Sequence, residues 1–252
     1  PFLIVQLPQW IDGKTAADGD DPMRWPVLRE AQWDAAQSID NVYAICTIDC
    51  GEYDNIHPLD KRTPGERLAN CALRQIYGMD RVPVHGPTVL GFRCDPNGRV
   101  RLFFRYAHGL HFEGTTPGSG DDDFDGQLPT LVRVPERSGF ELAGSDGMFH
   151  PATAAIFVDC DIDDLVNSRV NVVDYNATEF GIPINSRSIG TITLATPDVP
   201  EPVAMRYAWR SWGPAPLFND DGLPAQPFRL DLTDHTAPVE PAEPVTPDDT
   251  AD

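Results

Sequence analysis

The chain has 252 residues and a mass of 27.8 kDa, enough for one large domain or two small ones. Hydrophobic residues make up 41% and aromatics 9%, which supplies a core and excludes wholesale disorder. Its 19 Lys and Arg face 39 Asp and Glu, a net charge of −20, so nucleic-acid backbones would be repelled, and no run of about 18 apolar residues exists to span a membrane.

Phe2-Leu3-Ile4-Val5 is a short continuous apolar run, the mark of a strand buried on both faces. Gln6-Leu7-Pro8 ends it, and a polar loop rich in Asp and Gly runs from Asp12 to Asp21. The stretch Trp25 to Gln37 reads as a helix, with Pro26 in its first turn and Val27, Leu28, Ala31 and Ala35 as an apolar stripe. Val42 to Asp49 is the next apolar run, and strand, helix, strand in this order predicts a right-handed crossover with parallel strands. Thr63-Pro64-Gly65-Glu66 forms a capping-box pattern at the start of a second helix. Leu68, Ala72 and Ile76 would face a sheet, and Gly78 would stop the helix as a left-handed cap.

From residue 81 to 232 the pattern changes to short β-type runs between turn signals: Thr88 to Cys94, Val100 to Tyr106, Leu131 to Val134, Ala154 to Val158, Val170 to Val173, Ile189 to Leu194 and Val203 to Trp209. Asp95-Pro96-Asn97-Gly98 is a turn joining the first two as a hairpin. No long helical period appears, and the pattern is that of a β-sandwich. Residues 233–252 alternate proline with acid and carry no apolar period, the composition of a disordered tail. The predicted fold class is therefore mixed α/β and β, with an α/β part over 1–80, a β-rich sandwich over 81–232 and an acidic tail.

Two parallel strands and two helices are too few to cover both faces of a parallel sheet, which normally has about five strands. That shortfall, together with Pro1 in place of an initiating Met, predicts that the chain is the C-terminal portion of a longer polypeptide or one piece of a two-chain protein. No basic segment followed by an apolar core opens the chain, so no signal peptide is legible. Cys46, Cys50, Cys71, Cys94 and Cys160 are odd in number and lack paired C-x-x-C spacing. Neither a zinc site nor a disulfide framework is indicated, and the usage leans towards a reducing, cytoplasmic compartment.

In open α/β sheets functional groups gather just past the carboxyl ends of the strands. After the second apolar run comes Cys50-Gly51-Glu52-Tyr53-Asp54-Asn55-Ile56-His57-Pro58, which places Asp54 and His57 three apart in a loop at that edge. A carboxylate that accepts from one imidazole nitrogen fixes the tautomer, and the other nitrogen then takes a proton from a serine hydroxyl. Spacing alone leaves the alternative open, a solvated loop histidine beside an aspartate.

The wider pattern is more specific. Asp54-Asn55-Ile56-His57-Pro58-Leu59-Asp60-Lys61, then Gly65-Glu66-Arg67-Leu68-Ala69 and Tyr77-Gly78, resemble the final sequence block of the sialate O-acetylesterase family, a group of SGNH-type hydrolases. Gln6-Leu7-Pro8 and Leu28-Arg29-Glu30-Ala31-Gln32 resemble the segments before that block. Arg206-Tyr207-Ala208-Trp209 and Gly222-Leu223-Pro224-Ala225-Gln226-Pro227-Phe228-Arg229 resemble its closing motif. The resemblance spans residues 2 to 231 and implies a serine esterase that removes acetyl groups from sugar hydroxyls, with Asp54 and His57 as acid and base of the triad. It also implies a nucleophilic serine and oxyanion-hole donors in blocks this sequence lacks, so the missing part would come from a separate chain or segment. Gly118-Ser119-Gly120 and Gly144-Ser145-Asp146 are only superficially similar to the nucleophile block and read as loops. The implied acyl transfer to serine and then to water needs no metal or organic cofactor. O-acetylated sialic acid is the first expectation for the substrate. An acetylated xylan is the alternative within the family, and a non-catalytic carbohydrate-binding or structural module the alternative outside it.

Other residues divide between chemistry and packing. His108, His111 and Glu113 offer metal-ligand atoms but lack an acidic partner at fixed spacing. Asp121-Asp122-Asp123 with Asp125 does not match a known calcium-loop spacing and reads as a solvated acidic loop. Asn176-Ala177-Thr178 is a sequon whose meaning depends on secretion from a eukaryotic cell. Trp209, Trp212 and Phe228 suit either stacking on sugar faces or packing at the junction between the two parts. A sialic acid carboxylate would call for a local cation, for which Arg29 and Arg62 are candidates, with a solvated Arg62 as the plainer expectation.

Overall fold

β1 (Phe2–Val5) and β2 (Val42–Ile45) pair in parallel, in register from Phe2 opposite Val42 to Val5 opposite Ile45. The computed structural model describes residues 1–17, 21–113, 131–157, 171–172 and 189–233. Between the two strands lie α1 (Gly13–Ala17) and α2 (Arg24–Ser38), and α3 (Arg62–Gln75) follows β2. α1 stands within a stretch expected to be loop; Asp12 caps it by accepting from the Thr15 N–H at 2.9 Å.

Several local expectations need correction. β1 is not buried on both faces: Phe2 is 64% and Val5 40% exposed, because among the described residues no strand pairs with its other edge. β2 stops at Ile45 rather than Asp49, and the carbonyl of Gln6 is taken by the Thr47 hydroxyl. The apolar stripe of α2 does not face the protein, since Val27 and Leu28 are 51% and 47% exposed while Pro26 and Arg29 are buried. A sheet of two strands offers too little surface to cover that stripe. The start of α3 is capped not by Thr63 but by Asp60, whose carboxylate accepts from the Arg62 and Thr63 N–H groups, both at 3.0 Å. Glu66 turns instead to Arg62, 2.7 Å away. Gly78, at φ 70, ends the helix as expected, with the Met79 N–H reaching back to the Leu73 carbonyl at 3.0 Å.

The rest is antiparallel. In chain order the strands are β3 (Thr88–Cys94), β4 (Val100–Arg105), β5 (His111–Phe112), β6 (Leu131–Val132), β7 (Phe140–Ala143) and β8 (Phe149–Pro151). β9 (Thr153–Phe157), β10 (Asn171–Val172), β11 (Gly190–Ala195), β12 (Ala204–Tyr207), β13 (Leu217–Phe218) and β14 (Phe228–Asp231) complete the set. A six-stranded sheet has the order β10-β3-β4-β11-β9-β6 and a four-stranded sheet the order β14-β12-β7-β8, while β13 and β5 form a short pair. The Asp95–Gly98 turn closes the β3–β4 hairpin, with Gly98 at φ 78.

One apolar core joins the two larger sheets. Phe92, Leu102, Phe104, Ile192 and Leu194 from the first meet Phe140, Leu142, Met205 and Tyr207 from the second. Alternating inward residues of two sheets make a layered β arrangement without a helix between them. Among the described residues no helix is long and apolar enough to cross a membrane. The tail beyond Thr233, Cys160, Gly118-Ser119-Gly120, the Asp121–Asp125 run and Asn176-Ala177-Thr178 lie outside the described residues.

Candidate active site

The chain leaves β2 at Cys46 and forms an irregular loop up to α3 at Arg62. Three anchors hold that loop. Arg67 on α3 grips Asp49 with two parallel hydrogen bonds of 2.6 and 2.7 Å, and also donates to the Cys46 carbonyl at 2.9 Å and the Gly222 carbonyl at 3.3 Å; this is the bidentate geometry that makes arginine a positional clamp. Gly51 lies on the backbone of Gln9, where a Cβ would stand 2.0 Å from the Gln9 carbonyl oxygen, so only glycine fits that close approach. Glu52 accepts from the Leu59 N–H at 2.5 Å and from the Asn55 side chain at 2.7 Å. Those hydrogen bonds hold its carboxyl below the usual carboxylate range.

Asp54 and His57 both lie in this loop and both are exposed. Asp54 adopts φ 55, a left-handed conformation that aspartate tolerates better than most residues. Its N–H donates to the Ile11 carbonyl at 3.1 Å, and its Oδ1 accepts from the Gly13 N–H at 2.6 Å. The His57 N–H donates to the Asn55 side-chain oxygen at 3.0 Å. Among the described residues no hydrogen bond joins the Asp54 carboxylate to the His57 ring. The two residues therefore share a loop at the carboxyl end of a parallel strand, with the acid tied to the start of α1 and the imidazole open to solvent. The described serines are occupied elsewhere or exposed: the Ser38 hydroxyl donates to the Asp34 carbonyl, the Ser138 hydroxyl donates to the Ala152 carbonyl, Ser211 donates to Asp21, and Ser145 sits in the exposed 144–147 turn.

Other sequence candidates separate clearly. Arg29 is fully buried and donates to the carbonyls of Leu7, Pro8, Arg210 and Ser211 at 2.9 to 3.2 Å, so it is a cross-link rather than an open cation. Burial pushes its guanidinium down to about 10. Arg62 is 86% exposed and paired with Glu66 four residues on, in line with a solvated helix residue. His111 is buried, its Nδ1 2.7 Å from the Gly109 carbonyl and its Nε2 3.5 Å from Glu113, while His108 lies 3.2 Å from Asp221. Among the described residues no three His, Cys, Asp or Glu side chains gather as a metal cluster. Trp209 is buried beneath Arg229 and Phe228 packs against the core, as expected for a junction. Trp212 differs: it is half-buried and meets Tyr53 of the candidate loop edge to face, with ring centroids 5.7 Å apart.

Sequence reasoning missed Gly13, Gln9 and Asp49 as supports of the loop. Asp49 was legible only as a strand residue, and its role appears once Arg67 is seen one turn into α3. Gln9 secures the same region from the other side, its amide donating to the Gly213 carbonyl at 2.7 Å and its oxygen accepting from the Gly213 N–H at 3.2 Å.

With this geometry the molecule is similar to part of a carbohydrate acetylesterase. The solved protein is XAC1771, described as a novel carbohydrate acetylesterase from Xanthomonas citri, which matches at 28% sequence identity and a TM-score of 0.60 over 92% of this chain. The match spans 41% of the XAC1771 chain. No protein-family model and no curated protein matches the chain.

Proposed function

We propose that the chain is part of a carbohydrate O-acetylesterase, with residues 1–80 contributing to an SGNH-type α/β catalytic unit and residues 81–232 forming its β-rich companion. The likeness to XAC1771 across 92% of the chain carries this reading. In it His57 is the general base and Asp54 the acid that orients it, at the carboxyl end of β2 where an α/β sheet gathers its chemistry. The serine and the oxyanion donors come from a further segment, on the same polypeptide or on a partner chain. The edge of β1 that no strand pairs among the described residues, and the exposed Phe2, Val27, Leu28 and Ile39, support that part of the reading, because an apolar edge and exposed apolar helix residues are surfaces that proteins ordinarily cover.

In the complete site the serine hydroxyl would attack the acetyl carbonyl as His57 takes its proton. His57 would then return the proton to the departing sugar oxygen, and a water activated by the same ring would release acetate. Asp54 reaches the ring only if its carboxylate swings from the Gly13 N–H or if the ring turns towards it. Both groups are exposed, and Asp54 would give up the Gly13 N–H to make that contact.

Substrate charge divides the finer readings. The motifs resemble sialate O-acetylesterases, whereas the distribution of cations favours a neutral acetylated sugar such as an acetylated xylan. Arg29 is spent on four backbone carbonyls, Arg62 is paired in solvent, and the chain carries −20, so neither arginine is poised for a sialic acid carboxylate. The test is to compare the full-length polypeptide with its His57→Ala variant on acetylated xylan and on O-acetylated sialic acid. Acetate release is expected to fall by about 10³ or more in the variant. Equal release above the protein-free rate would remove His57 as the base, and release no faster than that rate would leave a non-catalytic module instead.

A further inference from the structure

A groove of about 580 Å³ runs beside the candidate loop, between the loop residues Asp49 and Gly51 and the β-rich part. Its size falls within the range of about 300–1,000 Å³ seen for small-molecule sites and leaves room for more than one sugar ring. One wall is apolar, formed by Trp212, Pro214, Ala215 and Pro216. Beside that wall the rim carries hydrogen-bonding groups on Glu113, Glu136 and Arg137, all of them exposed, and the Glu113 N–H donates to the Pro216 carbonyl at 2.7 Å. Glu113 also lies 3.5 Å from the Nε2 of the buried His111, which ties one rim group to the β5 strand.

That combination has a chemical meaning. The C–H faces of pyranose rings are apolar and lie against indole and proline surfaces, while their hydroxyls at the ring edge need both acceptors and donors. Carboxylates accept from two hydroxyls at once and a guanidinium donates to several. A rim with Glu113 and Glu136 against a single arginine, on a chain of −20, repels an anionic sugar and suits a neutral one. The position is equally specific. Asp49 and Gly51 belong to the loop that carries Asp54 and His57, and Trp212 touches Tyr53 of that loop. A glycan in the groove would thus lie beside that loop.

We propose that this groove binds neutral glycan residues attached to the acetylated sugar, with the Trp212–Pro216 wall under their C–H faces and Glu113, Glu136 and Arg137 on their hydroxyls. The site makes the protein a reader of oligosaccharides and polysaccharides rather than of free acetylated monosaccharides. The proposal rests on the esterase reading for its orientation, but its binding chemistry does not require hydrolysis.

The test is a calorimetric titration of the full-length protein with unacetylated neutral oligosaccharides (xylohexaose, cellohexaose and mannohexaose), beside 3′-sialyllactose. The native protein is expected to bind at least one neutral hexasaccharide saturably and to show no saturation with the sialylated sugar. Trp212→Ala is expected to weaken that binding about tenfold or more, Arg137→Ala by about three- to tenfold, and Trp212→Phe by less than Trp212→Ala, because it keeps an aromatic face. Unchanged melting temperatures separate these losses from unfolding. Absence of saturation with every neutral hexasaccharide at about 10 mM, or binding that survives both Trp212→Ala and Arg137→Ala unchanged, would overturn the proposal. Because the ligands carry no ester, an absence of acetate release above the protein-free rate removes the esterase reading alone and leaves the groove standing, while release that persists in His57→Ala removes only His57 as the base.

Discussion

Arg29 offers the sharpest test of how the molecule is held together. Its guanidinium is fully buried and serves four backbone carbonyls, two from the segment after β1 and two from the segment before the β13 strand. Replacement by Met fills a similar volume and removes every donor. The consequences differ among the four acceptors. The Pro8 carbonyl retains the Trp25 indole N–H at 2.6 Å and the Ser211 carbonyl retains the Trp10 N–H at 3.0 Å. Among the described residues the Leu7 and Arg210 carbonyls keep no other donor, and a buried acceptor left unpaired costs about 1–3 kcal/mol. The sum of about 2–6 kcal/mol is reduced by the dehydration that the cation no longer undergoes, so Arg29→Met is expected to lower the unfolding free energy by about 2–4 kcal/mol. For a protein of this size that is a fall in Tm of about 5–15 °C, measured by circular dichroism on the full-length polypeptide. A loss below about 1 kcal/mol would show that the two carbonyls find other partners and that Arg29 is no joint. A stable variant that lost activity only on sialylated substrates would show instead that Arg29 meets the substrate.

Three further perturbations probe separate parts of the chain. His85 stacks on Tyr106 at 4.6 Å, and burial, aided by Arg74 and Arg105, pushes its imidazole down to about 4 from an ordinary 6.5. Below pH 6.5 the unfolded chain therefore takes up a proton that the folded chain refuses until about pH 4. Its contribution is intact above that window and is lost as the pH falls through it, so urea unfolding should show His85→Phe losing about 2 kcal/mol less than the native protein between about pH 7 and pH 5; parallel curves would refute the assignment. Gly51→Ala places a methyl group 2.0 Å from the Gln9 carbonyl oxygen. It should lower the unfolding free energy by about 1–3 kcal/mol, read as a lower urea midpoint at unchanged m-value, and an unchanged midpoint would mean that the loop does not rest on Gln9. Burial pushes the Cys46 and Cys50 thiols up to about 12, leaving about one thiol in 10⁴ ionised near pH 8. Mass spectrometry should find both unmodified by iodoacetamide in the native protein and modified in urea, and rapid native labelling would contradict their environment.

The extent to which the sequence was legible follows from what each residue contacts. β1 and the β3–β4 hairpin announced themselves because their apolar runs and the Asp95–Gly98 turn are local signals. β7 did not, because Glu141 interrupts its apolar run; that carboxylate is buried and paired with Arg206 at 2.6 Å and with Arg210, partners more than 60 residues away that no local pattern contains. β5 and β13 are two-residue strands that, among the described residues, pair in a sheet with each other alone. The stripe on α2 failed for the opposite reason. Its apolar residues do not gather on the packed face, which is held instead by Pro26 and Arg29. Asp54 and His57 were legible as a spacing, whereas the attachment of Asp54 to Gly13 depends on α1, a helix of five residues too short to signal itself.

The motifs that spoke most clearly of function turn out to carry the joints of the fold. In Leu28-Arg29-Glu30, the arginine fastens the 210–211 segment and Glu30 takes a two-pronged grip from Arg229, both contacts at 2.8 Å. In Gly65-Glu66-Arg67, the arginine secures Asp49 and touches Gly222. These joints are unequal in weight. The Glu30–Arg229 pair is largely in solvent and contributes at most about 1 kcal/mol, while the buried Arg29 and the mostly buried Arg67 are held in place by packing. The closing segment of the β-rich part is thereby coupled to the loop bearing His57 through Gln9, Arg29 and Arg67 rather than through a continuous apolar core. Damage to that segment should therefore reach the His57 imidazole by loosening its loop, with no change to Asp54 or His57 themselves.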